Sequence, residues 1–171
     1  MKGNIYLWTG DGAGKTTSAL GVALRAVGHK QKVIVVQFMK GRKEIGEYKI
    51  MKKLKPYYSI HQFGSPKFIK PLNKPSEKDK ALAQKGLEFA KQASRKKPHL
   101  LVLDEINLAC AIGLVKTDEV VKLVEEASKK TIVYLTGRKA PLKLKKIAGF
   151  VNEIKLLKSP EKYPVRKGIE W

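Results

Sequence analysis

Gly10-Asp11-Gly12-Ala13-Gly14-Lys15-Thr16-Thr17 has the residue types and spacing that phosphate chemistry requires. Successive backbone N–H groups of such a loop converge on phosphate oxygens, and a helix N-terminus behind them adds partial positive charge. Glycine is needed because side chains would block that approach and because the turn demands unusual dihedrals. Lys15 would neutralise phosphate charge, and the Thr16 hydroxyl would ligate Mg²⁺. The spacing departs from the common form. Three residues separate Gly10 from Gly14 where the usual loop has four, and Thr9 stands where the first glycine would be. From average residue usage such a match arises by chance roughly one time in a hundred in a chain this long. It could still be a glycine-rich turn with an incidental lysine.

Asp104 and Glu105 form the second constellation, at the end of an apolar run. Acids often terminate strands simply because a loop begins there. Paired with Lys15 and Thr16, however, they become candidate metal ligands, direct or through water. Arg25 and Arg138 are candidate nucleotide contacts, the latter following Leu135-Thr136-Gly137 where α/β proteins collect their ligands. Cys110 lies among apolar neighbours and fits a packed small hydrophobe better than a nucleophile. His29, His61 and His99 share no ligand spacing, so no metal centre of the zinc kind is expected.

The elements that must carry these residues alternate. Ile5 to Trp8 reads as a buried strand delivered into the glycine loop, and Thr16 to Val27 as a helix with Ala19, Leu20, Ala23, Leu24 and Val27 on one face. Gly28 sits where a C-terminal cap belongs. Val33 to Met39 is apolar enough for burial on both faces, the mark of a parallel sheet covered by helices. Glu44 to Leu54 can be helical, Tyr58 to Phe63 a short strand, and Gly64 to Pro75 a proline-rich loop. Ser76 caps a helix to about Ser94, with Glu77 and Asp79 in its first turn. Leu100 to Leu103 is the clearest central strand. Thr117 caps a helix, Thr131 to Thr136 is a strand, Pro141 opens a short helix, and Val151 to Leu157 is a last strand. The expectation is one α/β domain over residues 1–171, with a mainly parallel sheet flanked by helices.

Composition bounds what remains. The chain has 171 residues and a net charge of +21, from 36 basic and 15 acidic residues, while 43% of its residues are hydrophobic. That is enough for a core, so a disordered basic tail is excluded. One cysteine rules out a disulfide scaffold. No apolar run approaches the eighteen or so residues that span a bilayer, and the glycine loop interrupts any signal-peptide core. A cytoplasmic protein without a membrane partner is expected. The positive charge invites a polyanion, but the lysines are scattered and lack the aromatic interleaving of a single-strand binder. No specific nucleic-acid partner is expected.

These segments together resemble the P-loop-type ATP:corrinoid adenosyltransferases of cobalamin (vitamin B12) metabolism. The likeness extends over nearly the whole chain. It is carried by TGDGAGKTT from Thr9, LRAVGH from Leu24, VVQFMKG from Val35, LDEINLA from Leu103, LTGR from Leu135 and KGIEW from Lys167. It implies a RecA-like fold, usually a homodimer, that transfers the 5′-deoxyadenosyl group of ATP to the cobalt of a reduced corrinoid. Co(I) attacks C5′ and triphosphate leaves, with the nucleotide reversed in the loop compared with phosphoryl-transfer enzymes. Gly10, Asp11, Gly12, Ala13, Gly14, Lys15, Thr16, Thr17, Arg25 and Arg138 would then bind ATP. Lys15, Thr16 and Glu105 would serve the chemistry, and Thr16, Asp104 and Glu105 would hold Mg²⁺ or Mn²⁺. A separate reductase would supply Co(I).

Relatives place aromatic residues after the glycine that matches Gly64. Here Ser65-Pro66-Lys67 stands instead, which leaves Phe63, Phe68 and Asn107 as corrinoid candidates. Met1 also lies almost at the first strand, whereas longer relatives carry an N-terminal segment over the corrinoid. Two other functions fit the loop and charge alone: a P-loop kinase or ATPase, and a RecA-type nucleic-acid module. Binding to DNA is expected to be weak, sequence-blind and abolished at moderate salt. An anisotropy titration at physiological salt checks this, and micromolar affinity that stimulates ATP turnover would favour the RecA-type function.

Overall fold

Strands that are apolar on both faces need helices on both faces, and the central strands of this chain meet that condition. The computed structural model describes residues 2–65, 75–161 and 164–169. Six strands form one sheet: β1 (Ile5–Thr9), β2 (Val33–Phe38), β3 (Tyr58–Phe63), β4 (Leu100–Asp104), β5 (Ile132–Thr136) and β6 (Phe150–Glu153). Their order is β3-β2-β4-β5-β1-β6, and every neighbouring pair is parallel. The intervening helices are α1 (Lys15–Gly28), α2 (Gly46–Ile50), α3 (Glu77–Arg95), α4 (Ile106–Ala111), α5 (Thr117–Ala127) and α6 (Leu142–Ile147). The mainly parallel α/β sheet expected from the alternation is the architecture observed.

The period-two alternation of each strand splits the core in two. Val33, Val35, Leu100 and Val102 join Ala19, Ala23 and Ala26 of α1 on one face. Those alanines leave room for the helix to lie close to the sheet. On the other face Ile5, Leu7, Leu101 and Leu103 meet Ala83, Leu87 and Ala90 of α3 together with α4, α5 and α6. Because all strands run the same way, the C-terminal ends of β1, β2, β4 and β5 come to one edge of the sheet. That edge collects Gly10, Lys40, Asp104 and Arg138.

Several boundaries differ from expectation, each for a local reason. The span from Glu44 to Leu54 is helical only over Gly46–Ile50 and continues as turns. Gly28 is the last residue of α1, and it is Lys30, at φ 57°, that takes the left-handed position beyond it. Lys116, with no side-chain cap bond, precedes α5, and Thr117 is its first residue. Pro141 is likewise the cap of α6 rather than a residue of its first turn. Strand β6 ends at Glu153, short of Leu157, because Ile154 turns across the glycine loop. A further helix, α4, follows the Asp104–Glu105 pair directly, in a stretch to which the sequence reading assigns no element. Ser76 does cap α3, in a reciprocal box with Asp79. Most of the expected proline-rich loop, residues 66–74, lies outside the described residues.

Two glycines in helices separate propensity from packing. Nothing lies within 4 Å of a Cβ built on Gly21 of α1, so Gly21→Ala should stabilise by about 0.5–1 kcal/mol through backbone entropy. On Gly86 of α3 the same atom would fall 2.9 Å from Phe63 Cβ and 3.0 Å from Phe38 Cε1. Gly86→Ala should therefore lose about 1–3 kcal/mol to overpacking despite the gain in helix propensity. Urea denaturation of both variants checks the opposite signs.

Candidate active site

The loop between β1 and α1 is shaped by what lies across it. Gly10 and Gly14 adopt φ 97° and 104°, a region costly to residues with a Cβ. Beyond β6 the Ile154 N–H donates to Thr9 O at 2.9 Å, and the Gly12 N–H donates to Ile154 O at 2.9 Å. A Cβ on Gly10 would stand 2.3 Å from Ile154 O, and one on Gly12 2.5 Å from Ile154 Cγ2. Glycine is thus required at both positions by close packing of the chain, in addition to any phosphate. Around Gly14 nothing comes nearer than 3.8 Å to such an atom, so its positive φ alone dictates the residue. Asp11, Ala13 and Thr17 are exposed at the rim.

Lys15 begins α1 and is buried, its ammonium curled back to donate to Gly12 O at 2.5 Å. Burial lowers its pKa, and the nearby charge of Arg138 lowers it further. Thr16, the next residue, donates from Oγ1 to Asp104 Oδ1 at 2.9 Å. The loop and the acidic strand end are therefore joined directly.

Asp104 is 1% exposed and held by four side chains. Thr136 at the end of β5 donates to its Oδ1 at 2.6 Å, while Gln37 of β2 donates to Oδ2 at 3.0 Å from its register partner position. Lys40, just beyond β2, places Nζ 2.7 Å from Oδ2 and 3.3 Å from Thr16 Oγ1. Burial alone would raise the carboxyl's pKa. The charge and hydrogen bond of Lys40, helped by Thr136 and Thr16, outweigh it and hold the group below its ordinary value. Reciprocally, burial opposes the Lys40 ammonium but Asp104 raises its pKa.

Glu105 caps α4 in the left-handed conformation, φ 62°, with its N–H donated to Thr136 Oγ1 at 3.0 Å. Burial and the neighbouring Asp104 carboxylate push its pKa up. A non-glycine residue in that conformation at a strand's end is the kind of strain that functional sites retain.

The remaining candidates divide. Arg138 sits over the loop, 3.9 Å from Asp11 and about half exposed. Arg25 lies in the last turn of α1, ten residues from Lys15 or about 15 Å along the axis, where it faces the helix dipole. Asn107 is fully buried and donates its amide to Trp8 O at 3.1 Å and Gly137 O at 3.3 Å. It ties β1 to the turn after β5 and presents no surface to a corrinoid. Phe63 packs against Phe89, 5.4 Å between ring centres, and against Gly86, which gives it a role in the core. Phe68 lies outside the described residues. Lys40, Gln37 and Thr136 were not singled out from the sequence. The signal available was a polar residue in an otherwise apolar strand, since a buried amide such as Gln37 must find partners.

A cavity of about 450 Å³ opens beside Thr16, bordered by Thr17, Leu20, Lys40, Glu47 and Tyr58. A larger one, about 820 Å³, lies around Cys110, Leu114 and Leu142 and is lined by none of the loop or strand-end residues. Among the described residues no three His, Cys, Asp or Glu side chains cluster as a metal cage. The donors that do converge, a threonine hydroxyl and carboxylates, are hard oxygens of the kind that bind Mg²⁺ together with phosphate.

A glycine loop opening a helix, with a carboxylate at the end of a parallel strand two strands away, places the chain in the P-loop class of α/β proteins. A family model described as ATP:corrinoid adenosyltransferase BtuR/CobO/CobP matches residues 1–171. Among curated proteins, the corrinoid adenosyltransferase of a Sinorhizobium species is 34% identical over 99% of this chain and 78% of its own length. That of Pseudomonas aeruginosa is 31% identical over 99% and 84%, and that of Escherichia coli 33% identical over 92% and 79%. The chain belongs to the ATP:corrinoid adenosyltransferase family, and its activity is adenosyl transfer from ATP to a corrinoid.

The raised pKa of Glu105 has a consequence for stability. The folded state holds that proton more tightly than the unfolded chain, so the group's favourable contribution is present below about pH 4.3 and is lost as pH rises through the higher folded value. Glu105→Gln removes the penalty. Its melting temperature should exceed that of the wild type at pH 8, and the gap should narrow towards pH 4. Parallel melting profiles across that range would contradict the shift.

Proposed function

We propose that the chain transfers the 5′-deoxyadenosyl group of ATP to the Co(I) of a reduced corrinoid, in the synthesis or salvage of adenosylcobalamin. The cobalt electron pair forms the bond to C5′, the C5′–O bond breaks, and its electron pair departs with triphosphate. No proton has to be removed, so the protein needs no general base. The observation that carries this reading is the meeting of Lys15, Thr16 and Asp104 at one edge of the sheet, in a chain that belongs to this family throughout its length.

The residues' share is electrostatic and positional. Lys15, now on a carbonyl of its own loop, has its charge available to triphosphate oxygens, and Arg138 stands exposed above the same loop. Gly10 to Thr17 would wrap the phosphates. The cavity beside Thr16 would take the nucleoside. Thr16, Asp104 and Glu105 would hold Mg²⁺ or Mn²⁺, which when bound supplies positive charge to the leaving triphosphate. The high positive charge of the chain favours capture of so anionic a substrate.

On this reading residues 1–171 act as one domain, supported by the span of the family match. The enzyme works in the cytoplasm as a homodimer, and a separate reductase delivers Co(I). No helix among the described residues is long and apolar enough to cross a membrane.

Phosphorus NMR tests the reaction directly. With ATP, Mg²⁺ and a Co(I) corrinoid, triphosphate and a light-sensitive adenosylated corrinoid should appear in equal amounts. Lys15→Ala should cut both by roughly a hundredfold while the protein stays folded, as expected when a main electrostatic donor is removed. ADP and orthophosphate with unchanged corrinoid would favour a kinase or ATPase instead.

A further inference from the structure

In P-loop proteins the cation that accompanies nucleotide is held between the loop's hydroxyl and a strand-end acid. Here those two groups, Thr16 Oγ1 and Asp104, are 2.9 Å apart and already bridged by a cation of the protein's own. Lys40 Nζ lies 2.7 Å from Asp104 Oδ2 and 3.3 Å from Thr16 Oγ1. A dication and an ammonium cannot share that position. Either the metal is excluded, or the lysine leaves.

The surroundings favour departure of the side chain alone. Backbone around Lys40 is pinned: Met39 has φ 57° and donates its N–H to Phe63 O at 3.0 Å. A Cβ on Gly41 would lie 2.4 Å from Gly64 O, and one on Gly64 2.4 Å from Lys40 N, so the two segments cross in near contact. The side chain is different. It is 24% exposed and borders the cavity beside Thr16, so its four-carbon stem has somewhere to swing. An ammonium displaced into that space is within a stem's reach of whatever anion the loop holds.

We propose that Lys40 is a positioning residue that occupies the metal place between Thr16 and Asp104 in the unloaded enzyme and moves onto the triphosphate when metal and nucleotide enter. This rests on the assignment of Thr16 and Asp104 as metal ligands. The buried carboxylate is thereby neutralised in both states, first by the lysine and then by the metal. Lysine suits the task because it is a point charge on a flexible stem; a planar arginine fork would lock onto the carboxylate.

The test uses binding, without corrinoid or turnover. Mn²⁺ affinity of the nucleotide-free protein is measured by electron paramagnetic resonance, and ATP affinity by calorimetry at saturating Mg²⁺. In Lys40→Met, Mn²⁺ should bind roughly tenfold or more tightly than in the wild type, because no ammonium competes, whereas ATP should bind several-fold more weakly, because no displaced ammonium reaches the triphosphate. Lys40→Gln, which keeps a donor to Asp104 without the charge, should behave alike if the methionine variant fails to fold. Asp104→Asn is the control and should lose Mn²⁺ binding. If Asp104→Asn loses it while both lysine variants keep wild-type Mn²⁺ affinity, the tenancy of Lys40 is refuted and the metal assignment stands. If Asp104→Asn binds Mn²⁺ as the wild type does, the metal assignment fails and the proposal with it.

Discussion

A carboxylate taken out of water must be neutralised and hydrogen-bonded, and Asp104 is where this chain meets that demand. Its partners come from the start of α1, the end of β2, the segment beyond β2 and the end of β5. Three stretches distant in sequence are therefore tied to β4 by one side chain. Leaving such a group without its cation costs on the order of 3–5 kcal/mol, a large part of a small domain's stability. That is why Gln37, with no business in an apolar strand otherwise, is tolerated there. Its own carbonyl is satisfied in turn by the Gln62 amide at 3.0 Å, so the polar chain is continued to the edge strand β3.

The second constraint is close approach of backbone. Ile154 passes over Gly10 and Gly12, and Gly64 passes over Met39 and Lys40. Both crossings are at the C-terminal edge of the sheet, and both fix the position of a charged residue: Lys15 in the loop and Lys40 beyond β2. Positioning here is a backbone property, while the charged tips remain on flexible stems. A rigid frame with mobile cations suits a substrate whose negative charge must be gripped before reaction and released afterwards.

Much of this was legible in the sequence. Strand–loop–helix around Gly10 to Thr17 and the strand ending at Asp104 follow from periodicity and glycine placement, which are local signals. So does the cap of α3, since Ser76 and Asp79 find each other within one turn. What local pattern could not give was which residues converge across the sheet. Lys40 lay within a quoted motif, yet nothing in its neighbours indicates a carboxylate 64 residues away. Nor does local pattern give the partners of Asn107 and Phe63: Asn107 ties β1 to the turn after β5, and Phe63 packs on Phe89. Strand β6 ended early because the loop, not the strand's own propensity, captured Ile154.

The two lysines of the site stand under opposite pressures, and that opposition bears on function. Lys40 has its counter-ion in Asp104, which raises its pKa. Lys15 donates to a carbonyl of its own loop, and burial with Arg138 nearby depresses its pKa against the opposing charges of Glu105 and Asp11. An anion entering the loop would relieve Lys15. Burial and Arg138 thus leave the Lys15 charge less favoured than in water, and an entering phosphate would favour it. Because the backbone that carries these charges is fixed, only their side-chain stems have to move before charge accumulates on the departing triphosphate.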